Sequence, residues 1–136
     1  MSINSRNKGS SFERAVASEL HLLLGINFKR DLDQYRQRDR GDLIADDEAF
    51  PFVIECKRYA SGNGCKPAWW AQASKAALEA QKFPAVVFRY DRQPIRVAVS
   101  ARHAVECITR RKWSAESHLI EIDLEGFAYL CREGMS

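Results

Sequence analysis

No run of apolar residues in this 136-residue sequence approaches the length of a membrane span. The first residues carry no apolar core of the kind that marks a secretory signal. Cysteine is scarce. Cys56, Cys65, Cys107 and Cys131 form no CxxC pair and no disulfide-framework spacing. The three histidines, His21, His103 and His118, do not stand at zinc-finger distances from them. These absences argue against secreted, disulfide-stapled, zinc-finger and membrane-spanning classes, and for reduced thiols in a cytoplasmic protein. A strong charge imbalance is also missing: a net +3 permits an anionic partner without requiring one. There is no internal repeat and no low-complexity segment. What remains, at 46% hydrophobic and 29% charged, is the composition of one globular domain over 1–136. About 1–8 and 133–136 are expected to be flexible ends.

Ser10 with Glu13 three residues on reads as a capping box. Phe12, Val16, Leu20 and Leu23 recur at helical spacing, which predicts a helix over about 11–24, ended by Gly25. Strands are predicted at 27–31, 42–45 and 51–59, with charged 33–42 as a loop and "DDE" at 46–48 as a turn. The turn-rich "SGNGCKP" precedes an alanine-rich helix over 67–82, with Pro67 in its first turn. Strands at 85–90 and 95–100 flank "DRQP". A short helix follows Ser100 as far as Ile108. A last strand covers 118–122, and Asp123 caps a final helix over 124–132. Interleaved helices and strands predict an α/β layered domain with a mixed sheet.

The stretch "FVIECKRYA", 52–60, reads as a buried strand that nonetheless carries a glutamate and a lysine. Alternation puts Phe52, Ile54 and Cys56 on one face and Val53, Glu55 and Lys57 on the other, with Glu55 and Lys57 about 6–7 Å apart. Alone, such a pair is first an ion pair on a sheet surface, and Cys56 is first a small core residue. Asp42 changes the balance. If 42–46 and 51–57 pair as a hairpin, Asp42 comes near Glu55, and two carboxylates and an ammonium converge. Their hard oxygens suit Mg²⁺ or Mn²⁺. Asp46 is a rival ranked below Asp42, with Asp47 and Glu48, as a solvated turn residue. Glu13 lies on the line Glu13, Ala17, Leu20, Leu24 beside the main apolar stripe. It either closes the capping box with Ser10 or points at the sheet, and spacing leaves both open.

These residues, in this order, resemble the PD-(D/E)xK nuclease superfamily, through Asp42 and the Glu55-x-Lys57 pair. The segment "NKGSSFERAVASELHLLLG", 7–25, is similar to the first helix of the Holliday junction resolvase branch, and "WWAQASKAA" followed by "PAVVFRYDRQPIRVAV" resembles its small phage-type members. The likeness covers about 7–100. Gly41 stands where the family often has proline, and Arg58 and Tyr59 follow the lysine where archaeal resolvases tend to have small polar residues. The resemblance implies a restriction-endonuclease-like core and metal-dependent cleavage of DNA phosphodiesters. It also implies a homodimer acting on four-way junctions, in a bacterial host's cytoplasm if phage-encoded. By position it implies that Asp42 and Glu55 bind Mg²⁺ or Mn²⁺ with the Cys56 carbonyl, that Glu13 joins directly or through water, and that Gln72 is a helix glutamine near the site. It further implies that Lys57 orients the attacking water or stabilises charge on the phosphate. A lysine amid carboxylates keeps its charge, which favours electrostatic help over general-base chemistry.

Basic residues supply candidate phosphate contacts that read no sequence. Lys8, Ser10 and Arg14 flank the start of the first helix, Arg36, Arg38 and Arg40 lead into Asp42, Arg58 follows Lys57, and Arg89 and Arg92 sit at a strand end. Arg110, Arg111 and Lys112 form a short run. Trp69 aligns with Ala73, Ala76 and Ala80 as core, and Trp70 stays open between core and base stacking. Two alternatives stand beside the resolvase reading: another nuclease of the same superfamily (restriction-like, repair or single-strand) and a catalytically silent DNA-binding module, which has no need of the full carboxylate–lysine set.

Overall fold

The computed structural model describes residues 2–31, 41–112 and 118–136. Its elements run α1 (Ser2–Leu24), β1 (Phe28–Arg30), β2 (Leu43–Ala45), β3 (Phe52–Tyr59), α2 (Pro67–Ala80), β4 (Phe83–Tyr90), β5 (Arg96–Ser100), α3 (Ala101–Thr109), β6 (Leu119–Ile122) and α4 (Leu124–Met135). The strands form one sheet in sequence order, β1 to β6. β3 and β4 are parallel and every other neighbour is antiparallel. A parallel pair needs a crossover, and α2 provides it. The sheet is therefore mixed, as the alternation of helices and strands predicts.

Both faces of the sheet are covered. Phe52, Ile54, Cys56, Ala85 and Val87 pack with Phe12, Val16 and Leu20 of α1 and with Cys107, Phe127 and Leu130 of α3 and α4. On the other face, Val53 packs against Ala76 and Ala77 of α2, and Val86, Phe88 and Tyr90 against Trp69 and Ala73. The apolar stripe of α1 is buried as its 3.6-residue period requires. Trp69 is core, and Trp70 lies partly buried at its rim. Asp123 caps α4 by accepting from the Gly126 N–H at 2.7 Å.

Several boundaries differ from the sequence reading. α1 begins at Ser2, not at 11, so Ser10 lies inside the helix and is not its cap. α2 stops at Ala80, and β4 begins at Phe83 with Pro84 inside it. The Phe83 N–H donates to the Pro51 carbonyl, and Pro84 stands opposite Val53. Ser100 occupies the N-cap position of α3 but makes no side-chain cap bond. α4 continues past 132 to Met135, with Gly134 close against Pro51 and Cys107. The four cysteines are unbonded thiols. Among the described residues, no helix is long and apolar enough to cross a membrane.

Candidate active site

β2 and β3 pair antiparallel with Leu43 opposite Ile54, which sets Asp42 opposite Glu55. The Asp42 N–H donates to the Ile54 carbonyl at 2.8 Å, and its Oδ2 accepts from the Cys56 N–H at 2.7 Å. Gly41 makes this approach possible. Its φ is +77°, and a Cβ there would lie 2.7 Å from both the Ile54 oxygen and Val53 Cγ1. Proline, expected there from the resemblance, cannot adopt that φ, whereas glycine can.

Asp42 and Glu55 are almost wholly buried, at 6% and 2% exposed. Burial is the main force raising both carboxyls. For Glu55, the Asp42 charge and a hydrogen bond donated to Asp42 add to it, and Lys57 opposes it, leaving the group at about 8. The same hydrogen bond and the Cys56 N–H partly offset the rise at Asp42. Burial and the Asp42 charge thus favour a protonated Glu55, and the two carboxyls are joined by a hydrogen bond.

Lys57 follows on the same face of β3. Its ammonium donates to Gln72 Oε1 at 2.8 Å, while Gln72 Nε2 donates to Glu55 Oε2 at 3.3 Å. The α2 glutamine therefore bridges the two strand residues and fixes their relative placement. The Cys56 thiol lies on the opposite face, in the core. Its N–H points towards Asp42, and within a strand the carbonyl of a residue faces the same edge.

Glu13 does not close a capping box. Its carboxylate accepts from Arg30 Nε of β1 at 2.8 Å, and Arg30 Nη2 donates to Ser10 Oγ at 3.0 Å. Burial raises Glu13, the Arg30 bond lowers it, and Asp42 raises it further. Glu13 is thus near enough to feel the buried pair while being held by Arg30. Among the described residues, no three His, Cys, Asp or Glu side chains form a ready-made metal cluster. The pair itself fits a divalent cation. Two facing buried carboxyls are stable only with a proton or a cation between them, and their hard oxygens match Mg²⁺ or Mn²⁺.

The expected phosphate contacts fall in different places. Lys8 and Arg58 meet at Asp91, which both contact as ion pairs. Arg14 is exposed and close enough to lower Glu13. Arg89 donates to the Gln93 carbonyl. Arg36, Arg38 and Arg40 lie outside the described residues.

Three residues near the site went unnoticed in the sequence: Arg30, Asp31 and Asp91. Arg30 shares a face of β1 with Phe28, so period-2 alternation could have put its guanidinium beneath α1. Asp31 is buried, joins Asp42 through a backbone bond at 2.9 Å, and raises it by its charge. Asp31 at a strand end and Asp91 in a turn carry no local signal that separates them from ordinary loop aspartates.

The fold is that of a restriction-endonuclease-like domain. It superposes on Hjc of Archaeoglobus fulgidus, a Holliday junction resolvase from an archaeal hyperthermophile, with a TM-score of 0.58 and 17% identity over 90% of this chain and 96% of that one. No curated protein matches the sequence significantly. The model of the family described as phage putative PDDEXK endonucleases matches residues 4–131, nearly the whole sequence, and the chain belongs to that family.

Proposed function

We propose that this protein is a metal-dependent, structure-selective endonuclease that resolves four-way DNA junctions. The observation that carries the chemistry is the buried Asp42–Glu55 pair with Lys57 tied to it through Gln72. Asp42 and Glu55, with the Cys56 carbonyl, would hold Mg²⁺ or Mn²⁺. Such an ion, when bound, lowers the pKa of a water and neutralises charge on the reacting phosphate. Lys57 stabilises the charge that builds on the phosphate oxygens. Gln72 keeps its ammonium aimed at the site. Glu13, held by Arg30, orients water at the edge of the pair. Lys8, Arg14 and Arg58 take neighbouring phosphates, and for Lys8 and Arg58 the anion competes with Asp91.

The resolvase assignment draws support from the likeness to the archaeal resolvase and requires two cuts related by symmetry. One chain offers one carboxylate pair, so two chains about a two-fold axis supply two sites. Trp70 and Leu78 of α2 and Leu119 of β6 line one open groove of about 420 Å³, and this is the proposed pairing surface. Leu78 is 81% exposed. Phe127 and Leu130 of α4 are core and take no part in this surface.

The deciding experiment incubates the protein and Mg²⁺ with four-way, flap, linear duplex and single-stranded DNA, with EDTA as control. Paired cuts confined to the four-way junction and abolished by EDTA are expected. Cutting that survives EDTA defeats the mechanism, preference for another DNA leaves a different nuclease of the superfamily, and binding without cutting leaves a silent module.

A further inference from the structure

Beyond Lys57, the same face of β3 ends in an aromatic structure that phosphate chemistry does not use. Tyr59 is the next residue on that face, about 6–7 Å beyond Lys57. Its ring stacks on Trp69 with centroids 5.2 Å apart and an interplanar angle of 17°. Trp69 is buried and backed by Phe88 and Tyr90, but Tyr59 is 44% exposed. The Lys66 ammonium lies 5.2 Å from the Tyr59 centroid and 5.5 Å from that of Trp69. Near-equal distances put it at the flank of the stack, so the outer face of Tyr59 is not covered by it.

The surroundings hold this arrangement in place. Tyr90 donates to the Gly64 carbonyl at 2.7 Å, and the Cys65 N–H donates to Glu121 at 3.1 Å. At Gly62, a Cβ would lie 2.4 Å from the Tyr90 ring, so the loop passes directly over that side chain. Glu121 is itself paired with Arg96, whose guanidinium lies over Phe88 and Tyr90. A tyrosine serving only to cover Trp69 would gain from burying both faces. Here one face lies against a rigid aromatic block while nearly half of the residue stays exposed, beside a cation.

We propose that Tyr59, backed by Trp69 and flanked by Lys66, is a stacking shelf for one unpaired nucleobase next to the reacting phosphate that Lys57 faces. The inference rests on the nuclease reading and adds a source of structure selectivity. Every ring has a face that accepts a base, whatever its identity. Within a duplex, bases are already stacked on both sides. At a branch point a base can leave the stack at small cost and reach the shelf. Lys66 meets the flanking phosphate.

The test uses the full chain and synthetic four-way junctions, with an abasic residue placed in turn at each nucleotide around the branch point. Affinity is measured in Ca²⁺ and cleavage in Mg²⁺. Tyr59→Leu is expected to bind the intact junction about tenfold more weakly, Tyr59→Phe as wild type does, and neither to change binding of a linear duplex. At one abasic position the wild type should lose the same factor, while Tyr59→Leu loses nothing more. Wild-type affinity of Tyr59→Leu for the intact junction, or an equal loss on duplex and on every abasic junction, overturns the shelf and leaves the nuclease standing. The expected stacking pattern without cleavage of any DNA overturns the nuclease and leaves the shelf. Failure to bind any DNA overturns both.

Discussion

Replacing Glu55 by glutamine should make the metal-free protein less sensitive to rising pH, by an amount that follows from the buried pair. Glu55 sits at about 8 in the native state against 4.5 for an ordinary glutamate. A native carboxyl raised in this way holds its proton more tightly than the unfolded chain does. Its stabilising contribution is complete below 4.5 and is lost as pH rises through 8. Between those values the native state carries one extra proton, and stability falls by about 1.4 kcal/mol per pH unit. Asp42 is also raised, so its contribution has the same sign. His103 acts oppositely, since burial holds it below 6.5, and its effect fades above that pH. From 6.5 to 8 the wild type should therefore lose on the order of 1–2 kcal/mol through the coupled pair. Glu55→Gln removes the titration and should flatten that part of the profile. Urea unfolding in EDTA at four pH values across the window measures both proteins by linear extrapolation. Mg²⁺ should then stabilise the wild type increasingly as pH rises, because the ion replaces the proton. Parallel profiles for the two proteins would refute the reasoning: Glu55 would then hold no extra proton, and the two carboxyls would not face one another as described.

Lys57→Ala should lower kcat about 100-fold with junction affinity nearly unchanged, since its charge acts on the reacting phosphate; single-turnover cleavage beside a binding titration checks this, and wild-type rates would make the lysine ornamental. Gln72→Leu leaves the charge but releases the ammonium from its 2.8 Å bond, so kcat should fall about tenfold with KM little changed. Gly41→Ala should cost about 2 kcal/mol or more in urea unfolding, since it adds both a strained φ and contacts at 2.7 Å. Sedimentation at micromolar concentration should report about 31 kDa, twice the 15.5 kDa chain; a monomer on junction DNA that makes only single nicks removes both dimer and resolvase.

How much of this site the sequence discloses depends on whether a residue's partner is set by a regular period. Asp42 opposite Glu55 follows from two strands joined by an acidic turn, and the antiparallel register sets it there. Glu55 and Lys57 share a face because the strand period is two, and Phe12, Val16 and Leu20 are buried because the helix period is 3.6. Trp69 follows from the same period on α2. Pro84 shows where such patterns mislead. The predicted strand starts at 85, after the proline, but the Phe83 N–H bonds Pro51 and the ladder runs on through the proline.

Glu13 marks the limit more sharply. Ser10-x-x-Glu13 is a sound local signal for a helix start, and a capping box needs only those four residues. The helix begins earlier, however, so the Ser10 N–H is already inside it and offers Glu13 no orphan donor. The glutamate is left with a half-buried carboxylate on the sheet-facing side, where the Arg30 guanidinium joins it and Ser10 together. That partner stands 17 residues along the chain, on a strand of only three residues. Nothing local to either residue specifies the meeting. It arises when α1 lies down on the sheet, because a carboxylate leaving water at that point needs a cation, and Arg30 is the one carried to its underside. A motif that ties a side chain to its own helix is therefore only as good as the helix boundary it assumes, and here the boundary decides whether Glu13 serves a cap or faces the sheet edge that carries Asp42.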